Sequence, residues 1–495
     1  MSNGDTAPRS GVLSQGLLSM LAYGVNVTVS FFAIFGMMRI MGAHSWGVFS
    51  LALQIVAFTS MLADFGISPV IMRRLAIAPE RSASVLADAT VTRLLLLLPA
   101  WALTIGIGLW LDPSWEFFLL INVMLVNTLI SSKLPVLRGS FEAYHRSQSR
   151  MGFPTLMMAV DSVVLLLFVL LQPELFHDPV TAMLVYTGSN TFGAVLLLIG
   201  TMRHMRRVNT SRVRISRKAV RELLVESWPL ALFLLLNALH MSIDTIYLKL
   251  FHGEVAVGNF NAALRIMTPL GVYATIIAIS MAPYFARASV DLNDEQRART
   301  KRLFSLSIKT LLVGAVLLAV LGVMNTRLVL DIALQGKFTG AYIPMVLLFI
   351  AFIPKTVNVF LVEVNNARGQ LARNTRLAAI MAVVSVVLGP LLIPSHAATG
   401  AAIARSLAVV AGLVYTTLSI RSDIRIPMTG ILLKCAGILV TFVALRWALD
   451  GLHPILSNLV AFTVAAAEIF AFRVFSASEM QQWKLQFASM LGRAS

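Results

Sequence analysis

Apolar stretches of about 20 residues, broken by short polar segments, recur from one end of this 495-residue chain to the other. That is the length an α-helix needs to cross a hydrocarbon layer about 30 Å thick. Inside lipid every backbone N–H and C=O must be satisfied within the protein, which leaves helices and closed barrels. The runs are continuous rather than alternating, so a β-barrel is excluded. Composition agrees: 58% of residues are hydrophobic and 13% are charged, against about 25% charged in soluble domains. With a mean hydropathy of +0.81, the chain reads as an all-α polytopic membrane protein.

Fourteen spans are expected, near 13–38, 46–71, 89–111, 116–136, 152–171, 180–202, 228–250, 257–284, 304–325, 340–362, 377–393, 399–419, 428–449 and 454–475. Gly389-Pro390 is the expected weak point of the eleventh. The even-to-odd connections are rich in Lys and Arg: Arg73, Arg74 and Arg81; Arg138, Arg146 and Arg150; a cluster from Arg203 to Arg221; Arg287 to Arg302; Arg368 to Arg376; Arg421 and Arg425. The tail adds Lys484 and Arg493. The opposite connections are nearly bare, with Arg327 and Lys337 standing out. By the positive-inside rule both termini are cytoplasmic. The net charge of +17 therefore belongs to membrane topology. No DNA or RNA motif accompanies it, which argues against a nucleic-acid partner.

The polar start, "MSNGDTAPRSG", leads into an apolar stretch too long for a signal peptide, read as an uncleaved first span. A single cysteine, Cys435, permits no internal disulfide and no cysteine metal site. The most basic stretch, 203–227, joins spans six and seven. From Ser216 it is expected to form a short amphipathic helix with Val220, Leu223 and Leu224 on one side, resting on anionic headgroups. No segment outside the spans exceeds about 25 residues, so no soluble domain is expected. Walker A, His-Glu-x-x-His, Gly-x-Ser-x-Gly and Asp-x-Asp patterns are missing from the sequence. The chain is read as a non-enzyme without cofactor or metal.

The chain repeats itself. Residues 42–55, "GAHSWGVFSLALQI", and 253–266, "GEVAVGNFNAALRI", agree at six of fourteen positions with an offset of 211. The same offset relates Asn26 to Asn237. Both copies lie in outward loops, between spans one and two and between spans seven and eight. Gly42 with Gly47, and Gly253 with Gly258, are expected to let a very short turn reverse the chain. Spans 1–6 and 7–12 thus read as a duplicated unit. Six spans per unit is even, so the halves share one orientation and are related by an axis along the membrane normal. The expected division is a six-helix lobe at 1–202, the basic linker at 203–227, a second six-helix lobe at 228–420, and two further helices with a tail at 421–495. Two such lobes suit alternating access around a central site.

Charges at mid-bilayer cost about 2.5–3.5 kcal/mol each, so each needs a reason. Arg39, Arg93, Lys133, Lys249, Lys309, Lys434 and Arg473 lie near span ends, where they can snorkel. Asp64, Asp161, Asp244, Arg265, Lys355, Arg405, Arg446 and Glu468 lie deeper. Spans one, seven and eight also carry polar faces: Ser19, Tyr23, Asn26 and Ser30; Asn237, His240 and Asp244; Asn261 and Arg265. Such stripes either bond neighbouring helices or line a wet cavity. The deep cations point to an anionic ligand, because the arginine fork matches phosphate oxygens. The acids either neutralise them or couple an ion, with His240 beside Asp244 as a proton candidate.

"RIMGAHSWGVFSLALQ", "ADFGISPVIMRRLA", "ESWPLALFLLLNALHMSIDTIYLKLFHGEVAVGNFNAALRI" and "MAPYFARA" resemble the Wzx-type oligosaccharide and polysaccharide flippases of the multidrug/oligosaccharidyl-lipid/polysaccharide (MOP) exporter superfamily. The matching stretches cover about a sixth of the chain. The resemblance implies a V-shaped pair of six-helix lobes with two added helices. It implies transfer of an undecaprenyl-pyrophosphate-linked oligosaccharide from the cytoplasmic to the outer leaflet of a bacterial inner membrane, for surface polysaccharides such as O-antigen lipopolysaccharide or exopolysaccharide. Membrane lipids are its surroundings, and a polysaccharide polymerase and glycosyltransferases are its partners. The expected cavity residues are Arg39, Asn26, Arg265, Asn261, Asn237, Lys355 and Arg405. Asp64, Asp244 and His240 are the candidates for coupling to H+ or Na+. A lipid II flippase or a drug/cation antiporter would share the fold. The antiporter would need a carboxylate-dominated site, whereas intramembrane cations outnumber acids here. A membrane glycosyltransferase is disfavoured by the short outward loops.

Overall fold

Gly42 interrupts what would otherwise be one helix of 56 residues. Its φ of 72° lies in the left-handed region, which glycine enters without a steric penalty. Two arms result, 9–41 and 43–64, together making α1 (Arg9–Asp64). The computed structural model describes residues 9–132, 136–148, 150–208, 215–287, 294–420 and 454–471, with scattered helical residues between 433 and 449.

Among the described residues all regular structure is helical. After α1 come α2 (Ile67–Ile77), α3 (Ser82–Leu111), α4 (Trp115–Ile130), α5 (Arg138–Ser147), α6 (Gly152–Leu171) and α7 (Pro179–Val208). Then follow α8 (Arg217–His252), α9 (Glu254–Met267), α10 (Gly271–Arg287), α11 (Asp294–Leu328), α12 (Tyr342–Ala367), α13 (Leu371–Ile420) and α14 (Pro454–Ala471). Nine helices among the described residues are long and apolar enough to cross a membrane. Two of these carry two expected spans each: Leu21–Ile77 covers the first and second, and Leu371–Ser419 the eleventh and twelfth. The expected fourth is the shorter apolar helix Trp115–Ile130. The expected thirteenth falls largely outside the described residues. So do Cys435, Lys133, Arg446, Arg473, Lys484, Arg493, Arg421 and Arg425, and part of the basic linker.

The structure differs from the sequence reading at five places. Gly42 alone makes the turn, while Gly47 lies inside the second arm. The second span ends at Asp64 rather than near residue 71, because Phe65 and Gly66 both take positive φ (48° and 67°) and redirect the chain into α2. The amphipathic segment expected from Ser216 is not separate. It runs straight into span seven as α8, with Pro229 inside the helix. The weak point of the eleventh span is not Gly389-Pro390, through which α13 continues. The chain turns only at Ala397, with φ 46°, in the expected connection between the eleventh and twelfth spans. Finally, residues 138–147, expected as a basic loop, form the buried helix α5.

Chain contacts group the fold into two units: Met1–Pro269 with Leu330–Ala341 and Ala382–Ala404, and Leu270–Val329 with Tyr342–Met381 and Arg405–Ser495. In the first, Ile67, Ile71 and Leu75 of α2 pack with Leu86 of α3, Tyr144 of α5 and Leu223 of α8. In the second, Phe285, Phe304 and Phe360 meet edge to face, with Phe285 5.7 Å from Phe304 and 5.9 Å from Phe360. Such aromatic pairs add about 0.5–1.5 kcal/mol beyond their burial.

Candidate functional site

The two copies of the repeat cross each other inside the first unit. Gly253 mirrors Gly42, with φ 77° against 72°. It turns α8 into α9 just as Gly42 joins the arms of α1. One turn further on, Gly47 rests against the main chain of α9: a methyl group there would meet the carbonyl oxygen of Glu254 at 1.9 Å. Gly258 does the same to α1, where a methyl would meet the carbonyl oxygen of Ala43 at 1.9 Å. Residues 43 and 254, and 47 and 258, are equivalent in the repeat. The contact is therefore reciprocal, as a local two-fold axis requires. Backbones this close gain dispersion and Cα–H···O contacts worth about 0.5–1 kcal/mol each.

Below the crossing the two helices carry a polar junction. Gln54 of α1 donates to Asn261 Oδ1 of α9 (3.3 Å) and accepts from Ser242 Oγ of α8 (3.4 Å). Asn261 donates to Thr245 Oγ1 (3.2 Å) and to the Val257 carbonyl (3.0 Å). Its amide is thus engaged within the protein on both sides. One turn on, Arg265 is half-buried, with Tyr186 of α7 in its electrostatic surroundings.

Along α8, His240 and Asp244 are both fully buried. His240 Nδ1 lies 2.7 Å from Ser385 Oγ of α13. Further along, Tyr247 donates to the Val386 carbonyl (3.3 Å), and His252 Nε2 bonds the Ile393 carbonyl (2.8 Å). Gly389 is needed there for contact, since a methyl would meet the Tyr247 ring at 2.4 Å. Asn237 is half-buried on the same helix. Asn26 of α1 accepts from Ser162 Oγ of α6 at 2.7 Å. Arg39 is exposed at the turn, and Lys337 Nζ donates to its carbonyl at 2.7 Å. A cation there complements the carbonyl end of a helix.

Asp64 joins a buried ion-pair network. Arg93, fully buried rather than snorkelling, donates to Asp64 (2.6 Å), Ser68 (2.6 Å) and Ser140. Beside it Arg138 donates to Asp161 (2.5 Å) and Glu142 (3.2 Å). Asp161 also accepts from the Gly193 N–H at 2.8 Å. These pairs fasten α5 under α1, α3, α6 and α7. Burial pushes the Glu142 carboxyl up, although Arg138 and Arg146 oppose it. Burial pushes the neighbouring His145 down to about 4, with His204 and Arg150 adding to the effect. Glu142 lies four residues from both Arg138 and Arg146, a helical spacing, whereas the Arg93–Asp64, Arg93–Ser140 and Arg138–Asp161 pairs meet only in three dimensions.

Elsewhere, Lys249 bonds Asp112 Oδ2 at 2.9 Å and also bonds Glu254. Asp112 lies below the usual carboxylate range: burial raises it, but bonds from Ser114 and Lys249 outweigh that. In the second unit Asn358 of α12 donates to the Val409 carbonyl of α13 at 2.9 Å. Lys355 and Arg405 lie one turn before these two residues and interact electrostatically. Among the described residues no group of three or more His, Cys, Asp or Glu could hold a metal.

Helices long and apolar enough to cross a membrane repeatedly, paired by an internal repeat and carrying cations within the spans, define a multi-pass membrane protein. The fold is shared with solved transporters. A lipid II flippase, MurJ, in an inward closed conformation aligns with a TM-score of 0.72 at 11% identity, over 93% of this chain and all of that one. An inward-facing MATE family multidrug resistance transporter of the MOP superfamily aligns at 0.62 and 15%, over 82% and 98%. A MOP superfamily transporter from Pyrococcus furiosus aligns at 0.51 and 14%, over 83% and 93%. No curated protein matches the sequence. The family described as "Polysaccharide biosynthesis protein" matches residues 12–289, more than half the chain, and the protein belongs to that family.

Proposed function

We propose that this protein flips an undecaprenyl-pyrophosphate-linked oligosaccharide from the cytoplasmic to the outer leaflet of a bacterial inner membrane, by alternating access of lobes 1–202 and 228–420. The observation that carries the reading is the asymmetry of the polar junction. Where the first copy places the neutral Gln54, the second places Arg265. A half-buried guanidinium inside a span is expensive and is repaid by a charged, fork-shaped partner such as pyrophosphate. Arg265 is the primary ligand contact in this reading. Lys355 and Arg405 form a second cationic station within their own unit.

Family membership supports export of a glycan intermediate, and the shared fold supports flipping rather than synthesis. The antiporter reading asks for free carboxylates, yet Asp64 and Asp161 are taken by Arg93 and Arg138. We therefore read Asp64 as a counter-ion, and keep Asp244 with His240 as the candidates for H+ or Na+ coupling. Asn261 serves the helix junction. Lipid II is the second reading, favoured by the TM-score of 0.72 to a lipid II flippase.

Arg265→Ala tests the proposal in cells at native expression. Surface polysaccharide is expected to be lost with protein level intact, and Arg265→Lys to restore only part of it. Undiminished polysaccharide in Arg265→Ala would remove Arg265 from the mechanism.

A further inference from the structure

The reciprocal crossing makes a further statement about Arg265. The two-fold relation that equates Gly42 with Gly253, Ala43 with Glu254 and Gly47 with Gly258 continues along the same helices. It equates Ser50 with Asn261 and Gln54 with Arg265. The bond from Gln54 to Asn261 is observed at 3.3 Å. Its symmetry mate would run from Arg265 to Ser50.

Ser50 is ready for that bond. It is 3% exposed, and its Oγ has no hydrogen-bond partner among the described residues. Buried hydroxyls nearby do not stay idle. Thr59 bonds the Ile55 carbonyl and Ser60 the Ala57 carbonyl. Asn261 bonds Val257 four residues back, yet Ser50 makes no equivalent bond to Trp46. An idle buried hydroxyl costs about 1–3 kcal/mol. Arginine is longer than glutamine, so it can span a gap that Gln54 spans in the other direction. In this structure no hydrogen bond joins the guanidinium to Ser50 Oγ.

We propose that Ser50 is a positioning residue for Arg265: it docks the guanidinium in a second position, reciprocal to the Gln54–Asn261 bond, from which an anionic ligand draws it away. Arg265 then has two stations, one docked on Ser50 and one released from it. The ligand part of this inference rests on the reading of Arg265 as an anion contact. The docking part rests on the repeat geometry alone.

The test uses purified full-length protein and separates the two parts. Ser50→Asp offers a carboxylate at the docking point. Its effect on Tm is measured in the wild-type and Arg265→Gln backgrounds. With docking, Ser50→Asp is tolerated while Arg265 is present and lowers Tm by several degrees more in the Arg265→Gln background. An equal effect in both backgrounds overturns docking. If Ser50→Asp does not accumulate, Ser50→Asn, a neutral acceptor, is put through the same cycle with the same decision.

Pyrophosphate is the probe for the ligand part. Ser50→Asp is expected to weaken its binding at least tenfold by holding Arg265, and Ser50→Thr to bind as the wild type does. Thermal coupling together with pyrophosphate binding indifferent to Arg265→Gln would leave docking standing and refute the anion contact. Equal weakening by Ser50→Thr and Ser50→Asp would reduce Ser50 to a packing residue and overturn the proposal.

Discussion

Gly47 of α1 rests on the main-chain carbonyl of Glu254 in α9, with no room between them for a methyl group. The repeat returns the same contact with Gly258 over Ala43. A glycine pair that the sequence presents as turn residues is thus half turn and half crossing point.

Gly47→Ala and Gly258→Ala should each force the helices apart. Overpacking of this kind costs about 1–3 kcal/mol, read as a lower Tm of the purified protein. Gly106→Ala in α3, where a methyl meets nothing within 4 Å, should be neutral or stabilising by about 0.5–1 kcal/mol. Equal Tm values for all three variants would refute the crossing.

Arg93→Leu should destabilise by about 1–3 kcal/mol, because it leaves the half-buried Asp64, and the buried Ser140, without the guanidinium that bonds them. The double variant Arg93→Leu/Asp64→Leu should recover much of that loss. Denaturation of the two variants side by side decides it. A double variant as weak as the sum of the singles would mean the pair does not couple.

His145 predicts a pH dependence of known sign. Its folded-state pKa of about 4 lies below the ordinary histidine value of 6.5, so the unfolded chain binds more protons between those values. The contribution to stability is complete above pH 6.5 and is lost as pH falls toward 4. Glu142, pushed up by burial, acts in the opposite sense as pH rises through its own range. Tm should therefore be followed in the wild type and His145→Gln from pH 7 to pH 4.5. The wild type should lose more than the variant, and parallel curves would contradict the buried neutral histidine.

The membrane class, most spans and the repeat were legible because period, length and charge asymmetry are one-dimensional signals. The repeat offset alone located Gly42, Gly253 and the Arg265–Gln54 asymmetry. What escaped was set by contact. Arg138 looks like a loop cation until Asp161 and Glu142 close on it. Gln54 looks apolar by context until Asn261 and Ser242 meet it. The strong local cue at Gly389-Pro390 is overruled, since α13 passes through it and turns only at Ala397, in the expected connection between the eleventh and twelfth spans. Gly66 was the available clue to the early end of the second span.

The proposed activity is transfer of a lipid-linked glycan between leaflets. The most direct measurement depletes the protein and analyses the lipid-linked sugars of the membrane by composition and by leaflet. The account predicts accumulation of a complete oligosaccharide repeat unit on undecaprenyl pyrophosphate in the cytoplasmic leaflet. Accumulation of lipid II would transfer the assignment to peptidoglycan precursors. A truncated repeat unit, or a complete one reaching the outer leaflet at the normal rate, would contradict it.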